Sequence, residues 1–190
     1  FTLTAGTAYY ILLDPSNTTG GNVDFSIVCA PPIPTNDQCS GAISLTVNTT
    51  NNCISSTNGT TIGAIQSQAG CSGTADDDVW YNFVANNTIH TVTVSAITLN
   101  NIVFEVFRNS CGSLVSLGCV NSTTGFSPET TTITGLTIGS TYFIRIYSNG
   151  NGSGQGTFTV CVTTPVDPCT VITTISSCNS VINLNVPAGN

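Results

Sequence analysis

Nine cysteines, nine carboxylates and a single histidine hold most of the reactive chemistry of these 190 residues. So many cysteines beside one histidine favour disulfides in an oxidising compartment over zinc. No C-x-x-C occurs, and His90 alone cannot complete a Cys2His2 set. Cys111 and Cys119 bound the short loop CGSLVSLGC and are expected to staple it. Cys53 and Cys71 flank a Ser/Thr/Gly/Gln stretch and form the next expected pair. Cys39 opens the first strand of a module and Cys161 ends its last, so a Cys39–Cys161 bridge would tie its termini together. Each bridge would contribute ~2–4 kcal/mol.

Asp76, Asp77 and Asp78 place a third of the carboxylates in one loop before a strand. Adjacent acids repel unless a cation is shared, and calcium takes several Asp and carbonyl oxygens, so the loop is a candidate calcium site. The competing reading is a solvated loop whose Asp side chains cap the turn. His90 alternates with Val92 and Val94 and reads as a partly buried strand residue. A Ser-His-Asp triad would need it, yet no G-x-S-x-G elbow is present. Glu105 and Glu129 are the only glutamates; a glycosidase pair would have to use both, and Glu105 sits mid-strand among apolar residues. Trp80, Tyr81, Tyr142 and Tyr147 could stack on sugars if exposed, but aromatic strand residues mostly pack in cores. Asn17, Asn48, Asn58, Asn86, Asn121 and Asn151 each begin an N-x-[ST] acceptor triplet for glycosylation. The chain reads as a non-enzyme.

The elements that must position these groups are strands. Ala42–Val47, Val79–Val84, His90–Val94, Ile102–Phe107, Tyr142–Tyr147 and Gly156–Cys161 alternate or read as apolar strand runs between Gly/Asn/Ser turns. Helix formers and helical periodicity are scarce. The expected fold is an all-β, antiparallel, jelly-roll-like sandwich. Only 6% of residues are charged, lysine is absent, and the two cations are Arg108 and Arg145, giving a net charge of -7. That excludes a nucleic-acid or anionic-membrane surface, and no apolar run approaches ~20 residues. Lysine isopeptide linkages cannot form.

The chain also repeats itself. Leu3-Thr4-x-Gly6-x-x-Tyr9-x-Ile11 recurs as Leu136-Thr137-x-Gly139-x-x-Tyr142-x-Ile144, with Phe25 and Cys29 matched to Phe158 and Cys161. A proline-containing linker and a new cysteine follow each copy. Residues 1–30 therefore read as the closing strands of one module, 31–36 as a linker, 37–163 as a complete sandwich and 164–190 as the opening strands of another. In that register Cys29 and Cys169 are halves of inter-module bridges, and Cys178 has no assigned partner. Leu136–Tyr142 has the look of a sandwich corner, though a plain turn fits equally.

The segments Asn36–Leu45, Asp76–Phe83, His90–Val94 and Leu136–Tyr147 together resemble the tandem β-sandwich modules of large secreted and cell-surface proteins of Bacteroidota, many exported by the type IX system. Those modules look related to the pre-peptidase C-terminal (PPC) domain, some members of which bind calcium near acidic loops. The resemblance implies an extracellular location and a modular architecture without implying an activity. The expectation is a structural protein: a repeat module of a cell-surface filament or adhesin stalk, assembling head to tail with copies of itself or adjacent modules. The rival is a carbohydrate- or surface-binding accessory module of a secreted hydrolase, with surface glycans as partners.

Overall fold

The computed structural model describes residues 3–4, 6–12, 24, 26–150 and 154–165. The chain divides into two units, Phe1–Ala30 and Pro31–Asn190. Among the described residues of the first unit there is no strand. There is, however, a formed corner. Gly6 takes φ +80°, Thr7 N donates to Thr4 O (3.2 Å), and Thr4 N donates to Tyr9 Oη (2.7 Å). Tyr10, Leu12, Ile27 and Val28 are exposed.

The second unit is a two-sheet sandwich. Its strands are β1 (Ile43–Ser44), β2 (Val47–Asn48), β3 (Thr57–Thr60), β4 (Val79–Val84), β5 (Ile89–Ala96), β6 (Ile102–Arg108), β7 (Val115–Val120), β8 (Glu129–Thr134), β9 (Thr141–Ser148) and β10 (Thr157–Thr163). The first sheet runs β1-β4-β9-β6-β7. The second runs β2-β10-β5-β8, with β3 also antiparallel on β10. Pairing is antiparallel except for β1 with β4 and β2 with β10. These strands form where the sequence alternates. In β4 the core face is Val79, Tyr81 and Phe83; in β5 it is His90, Val92 and Val94; all six are buried. Ile144, Ile146, Phe158 and Val160 meet them from β9 and β10 to fill one core.

Two expectations about elements need correction. Ala42–Val47 is not one strand: Ile43–Ser44 pairs in the first sheet and Val47–Asn48 in the second, so the chain crosses between sheets at Leu45–Thr46. β3, β7 and β8 lie in segments read as connections. β8 is Glu-Thr-Thr-Thr-Ile-Thr, with too little apolar contrast to register as alternation. β3 crosses the core so closely that a Cβ at Gly59 would overlap Tyr81 Oη and the Phe158 ring.

The chain enters and leaves at opposite ends of β4. At the start of the strand, Trp80 N donates to Asn36 O (2.8 Å) and Asn36 Nδ2 to Trp80 O (3.0 Å). Just beyond its other end, Thr164 Oγ1 donates to Asn86 Oδ1 (3.1 Å). The two poles are separated by the six residues of β4, about 20 Å.

Six cysteines are bridged, in a pattern other than the expected one: Cys39–Cys111, Cys53–Cys161 and Cys71–Cys119. Cys39–Cys161 fails because Cys39 sits in a short 3-10 turn against the first sheet while Cys161 lies on β10 of the second. Cys53 follows β2 on the second-sheet side, whereas Cys71 packs against Tyr147 of the first sheet, so they cannot meet. Cys111 lies in the turn of the β6–β7 hairpin, but Cys119 is drawn up β7 opposite Glu105, too far along the strand for a local staple. Cys29 is exposed and has no disulfide partner among the described residues; Cys169 and Cys178 lie outside them.

Candidate functional site

The acidic loop is not a triad of ligands. Among the described residues no trio of His, Cys, Asp or Glu side chains gathers to hold a metal. The chain separates the three aspartates by occupation. Asp78 is fully buried and accepts hydrogen bonds from Ser67 N (2.8 Å) and Ser67 Oγ (2.5 Å), with Arg145 Nη1 at 3.4 Å. Burial pushes its carboxyl above the ordinary range, and Ser67 and Arg145 offset that only in part. Asp77 is also fully buried and accepts from Ser148 N (2.9 Å). Burial raises it too; the Ser148 N–H and the Thr61 and Ser148 hydroxyls lower it, and the Asp76 charge raises it. Only Asp76 is partly open to solvent.

Asp78 belongs to a cluster centred on Arg145, which sequence reading missed. Arg145 is fully buried on the outer face of the first sheet. It pairs with Glu105 (2.9 Å) and donates to Gln68 O (3.0 Å) and Ala69 O (2.9 Å). Its guanidinium lies 5.7, 5.9 and 5.2 Å from the ring centroids of Trp80, Phe107 and Tyr147. The segment from Ser67 to Ser72 passes over this cluster as a strap. Trp80 Nε1 donates to Ser67 Oγ (2.9 Å), Tyr147 Oη donates to Ser72 O (2.9 Å), and Cys71–Cys119 pins the strap to β7. One signal was available: Phe143, Arg145 and Tyr147 share a strand face, and an arginine between aromatics needs carboxylate partners.

The remaining candidates are structural. His90 Nε2 accepts from Asn86 N (3.3 Å) and Asn87 N (3.2 Å), and Nδ1 faces Thr163 O at 3.1 Å, which fixes a neutral ring with the proton on Nδ1. Burial holds it below its ordinary value despite the Thr163 carbonyl. It clamps the β4–β5 turn to the end of β10. Glu129 opens β8 and caps Ser122 N (2.8 Å) and Thr123 N (2.6 Å), while Glu105 is bound to Arg145, so the glutamates hold separate structural posts and form no acid–base pair. Trp80, Tyr81, Tyr142 and Tyr147 are all buried, and burial pushes the Tyr81 phenol up to about 12. Trp80, Tyr81 and Tyr147 offer no face to a sugar, and Tyr142 reaches the surface only at the rim of a groove. Among the acceptor triplets, Asn58, Asn86 and Asn121 are exposed. Asn48 is a correction: it is buried, and its amide is spent on Ser55 O (2.8 Å) and Val162 O (3.0 Å). Asn17 and Asn151 lie outside the described residues.

Of several concave surfaces among the described residues, one lies between the edges of the two sheets. The unpaired edges of β7 and β8 face each other across a groove of 580 Å3 at the exit pole, lined by Arg108, Asn109, Leu117, Thr134, Thr137 and Tyr142 among others. A smaller hollow of 210 Å3 shares Leu117 and Thr134 and reaches Val106. Arg108 is the only cation besides the buried Arg145. Hydroxyls and amides around one guanidinium can bind a polar, oxygen-rich ligand.

No curated protein matches this chain. Among solved structures it is similar to the pre-peptidase C-terminal domain of a collagenase from Bacillus anthracis, at 12% identity and a TM-score of 0.39, over 62% of this chain and 95% of that one. A family profile described as galactose binding domain-like matches residues 35–160. Over that span, which holds all ten strands but the last residues of β10, the chain belongs to the galactose-binding domain-like family associated with type IX secretion.

Proposed function

We propose that this chain is an in-line spacer of a secreted or cell-surface protein, a non-catalytic module that joins head to tail with others of its kind. One observation carries the reading: the sandwich takes in its chain at Asn36 and releases it at Thr164, at opposite poles. A module so threaded adds its length to an array instead of folding back on its neighbour. The repeat supports it. Leu136–Tyr142 forms the same corner as Leu3–Tyr9: Gly139 takes φ +83°, Ser140 N donates to Thr137 O (3.1 Å) and Thr137 N to Tyr142 Oη (2.8 Å). In the sandwich that corner delivers Ile144 to the core; its counterpart in the repeat, Ile11, is exposed. Residues 1–30 then correspond in sequence to the closing segment of a module, with Cys29 the counterpart of Cys161. Three disulfides and a type IX-associated family support an extracellular setting. Electron microscopy of the natural polypeptide, with its intact mass, tests the reading. Beaded linear particles are expected; compact particles of one or two modules would overturn it.

The groove favours a second reading, a glycan-binding accessory module, in keeping with the family's galactose-binding description. Binding to galactose-containing glycans that Arg108→Ala abolishes would support it, and a blank glycan array would remove it.

A further inference from the structure

We propose that the groove between β7 and β8 takes an acidic saccharide, a sugar whose carboxylate or sulfate pairs with Arg108. This rests on the glycan-binding reading of that groove and names the charge of its ligand. The distribution of charge on the sandwich carries it. Among the described residues from 31 to 165, Asp37, Asp77, Asp78, Glu105, Glu129 and Arg145 are buried, and Asp76 is partly open. Arg108 is the one charged residue among them that is fully exposed. Both ion pairs among the described residues belong to Arg145. No carboxylate lines the groove or the 210 Å3 hollow beside it. The chain is acidic as a whole, yet this groove presents a lone unpaired cation among neutral groups.

The backbone beside Arg108 departs from regular strand on both sides. The β6–β7 register slips between Val106 and Phe107, which leaves Leu117 without a partner on β6. Such a bulge bends its strand and re-aims the side chains near it. Leu117 lines both the groove and the hollow. On the other side, Asn109 holds φ +75°, a left-handed backbone that asparagine tolerates, and turns the chain directly after Arg108. Its amide donates to Ser113 O (3.3 Å). Thr134, Thr137, Ser140 and Thr141 bring hydroxyls to the same groove. Hydroxyls suit the hydroxyls of a sugar, and Leu117 suits the C–H face of its ring. A neutral sugar would use these and leave the guanidinium in water. A sugar acid uses all of them, because the planar fork of arginine holds an oxyanion by two parallel hydrogen bonds. The hydroxyl-rich lining favours a saccharide over the carboxylate end of a peptide.

The test titrates the disulfide-intact chain by calorimetry at low salt. Two acids, digalacturonate and galactose 6-sulfate, are set against their neutral matches, the methyl ester of digalacturonate and galactose. At least one acid should bind about tenfold or more tighter than its match, and that acid assigns the oxyanion. Added salt should narrow the gap. Arg108→Gln should close it with the melting midpoint unchanged, and Arg108→Lys, which keeps the charge but not the fork, should retain only part of it. Acids that bind no tighter than their neutral matches would overturn the inference while leaving the glycan reading intact. Silence from all the sugars would remove both. A gap that survives Arg108→Gln would overturn the role of Arg108. Acetylated trialanine, with its free carboxylate, binding as tightly as either acid would overturn the saccharide in favour of a peptide end.

Discussion

The two sheets of the sandwich treat their outer faces in opposite ways. The first buries its outer face under the strap, with an arginine, two carboxylates and three aromatic rings beneath it. The second leaves much of its outer face to water and dresses it in threonine. Thr91 and Thr132 hydroxyls meet across β5 and β8 at 2.9 Å, and Thr130 donates to Thr93 at 3.1 Å. A chain with 6% charged residues therefore spends much of its charge inside and meets solvent with hydroxyls. The difference shows where stability is concentrated. Exposed hydroxyl pairs exchange freely with water, whereas a buried ion cluster cannot lose one member without stranding the others.

The sharpest break of this comparison is Arg145→Ala. It leaves Asp78 and Glu105 buried without a counter-charge and should cost about 3–5 kcal/mol, a fall in melting midpoint of roughly 10 °C or more. Thr132→Ala on the other face should stay within about 0.5 kcal/mol. Equal losses in thermal melts would end the contrast. Next in size, Cys71→Ser with Cys119→Ser should cost ~2–4 kcal/mol. It should also free the strap, seen as faster hydrogen exchange at the amides of Cys71 and Ser72, which Tyr147 Oη now holds. Protection unchanged at both amides would show that hydrogen bonds alone hold the strap.

Acid should divide the sheets more finely. His90 is held below 6.5 in the folded chain, so as pH falls through 6.5 the unfolded chain takes up a proton that the folded one refuses, and stability drops. Asp78 is raised above 3.8, so between that value and its folded one the folded chain holds the extra proton; this contribution is present in acid and fades as pH rises. Melting midpoints from pH 7.5 to 3.5 should dip just below 6.5, and His90→Gln should flatten that dip. Asp78→Asn should reduce the partial recovery nearer 4, the remainder belonging to Asp77, which burial raises likewise. A dip that survives His90→Gln would assign it to another group. The smallest effect is expected from Thr93→Val with Thr130→Val, within about 0.5 kcal/mol; a larger coupling in a double-mutant cycle would mean the ladder is structural.

Much of this was legible in the sequence, and the limits have physical causes. β4, β5, β6 and β9 carry one apolar side and could be read by alternation, as could the seating of His90 beside Val92 and Val94. β7 and β8 could not, because edge strands facing a groove need no apolar stripe. The cysteine partners were misjudged because proximity along the chain was taken for proximity in space, whereas all three bridges span 48 residues or more. The Asp76–Asp78 run was visible, but not its division of labour, which depends on Ser67, Arg145 and Ser148 arriving from distant elements.

The disulfide pattern has a mechanical consequence. Consider tension applied along the chain through the entry and exit poles. Even with every strand torn apart, the covalent path from Cys39 runs only as far as Cys53 before crossing to Cys161 and out. The 108-residue separation between Cys53 and Cys161 is short-circuited, and with it about 350 Å of slack. The path that can pay out is about 50 Å. A string of such modules would stretch little before it broke, a tether of nearly fixed length in any fluid that keeps its sulfurs oxidised.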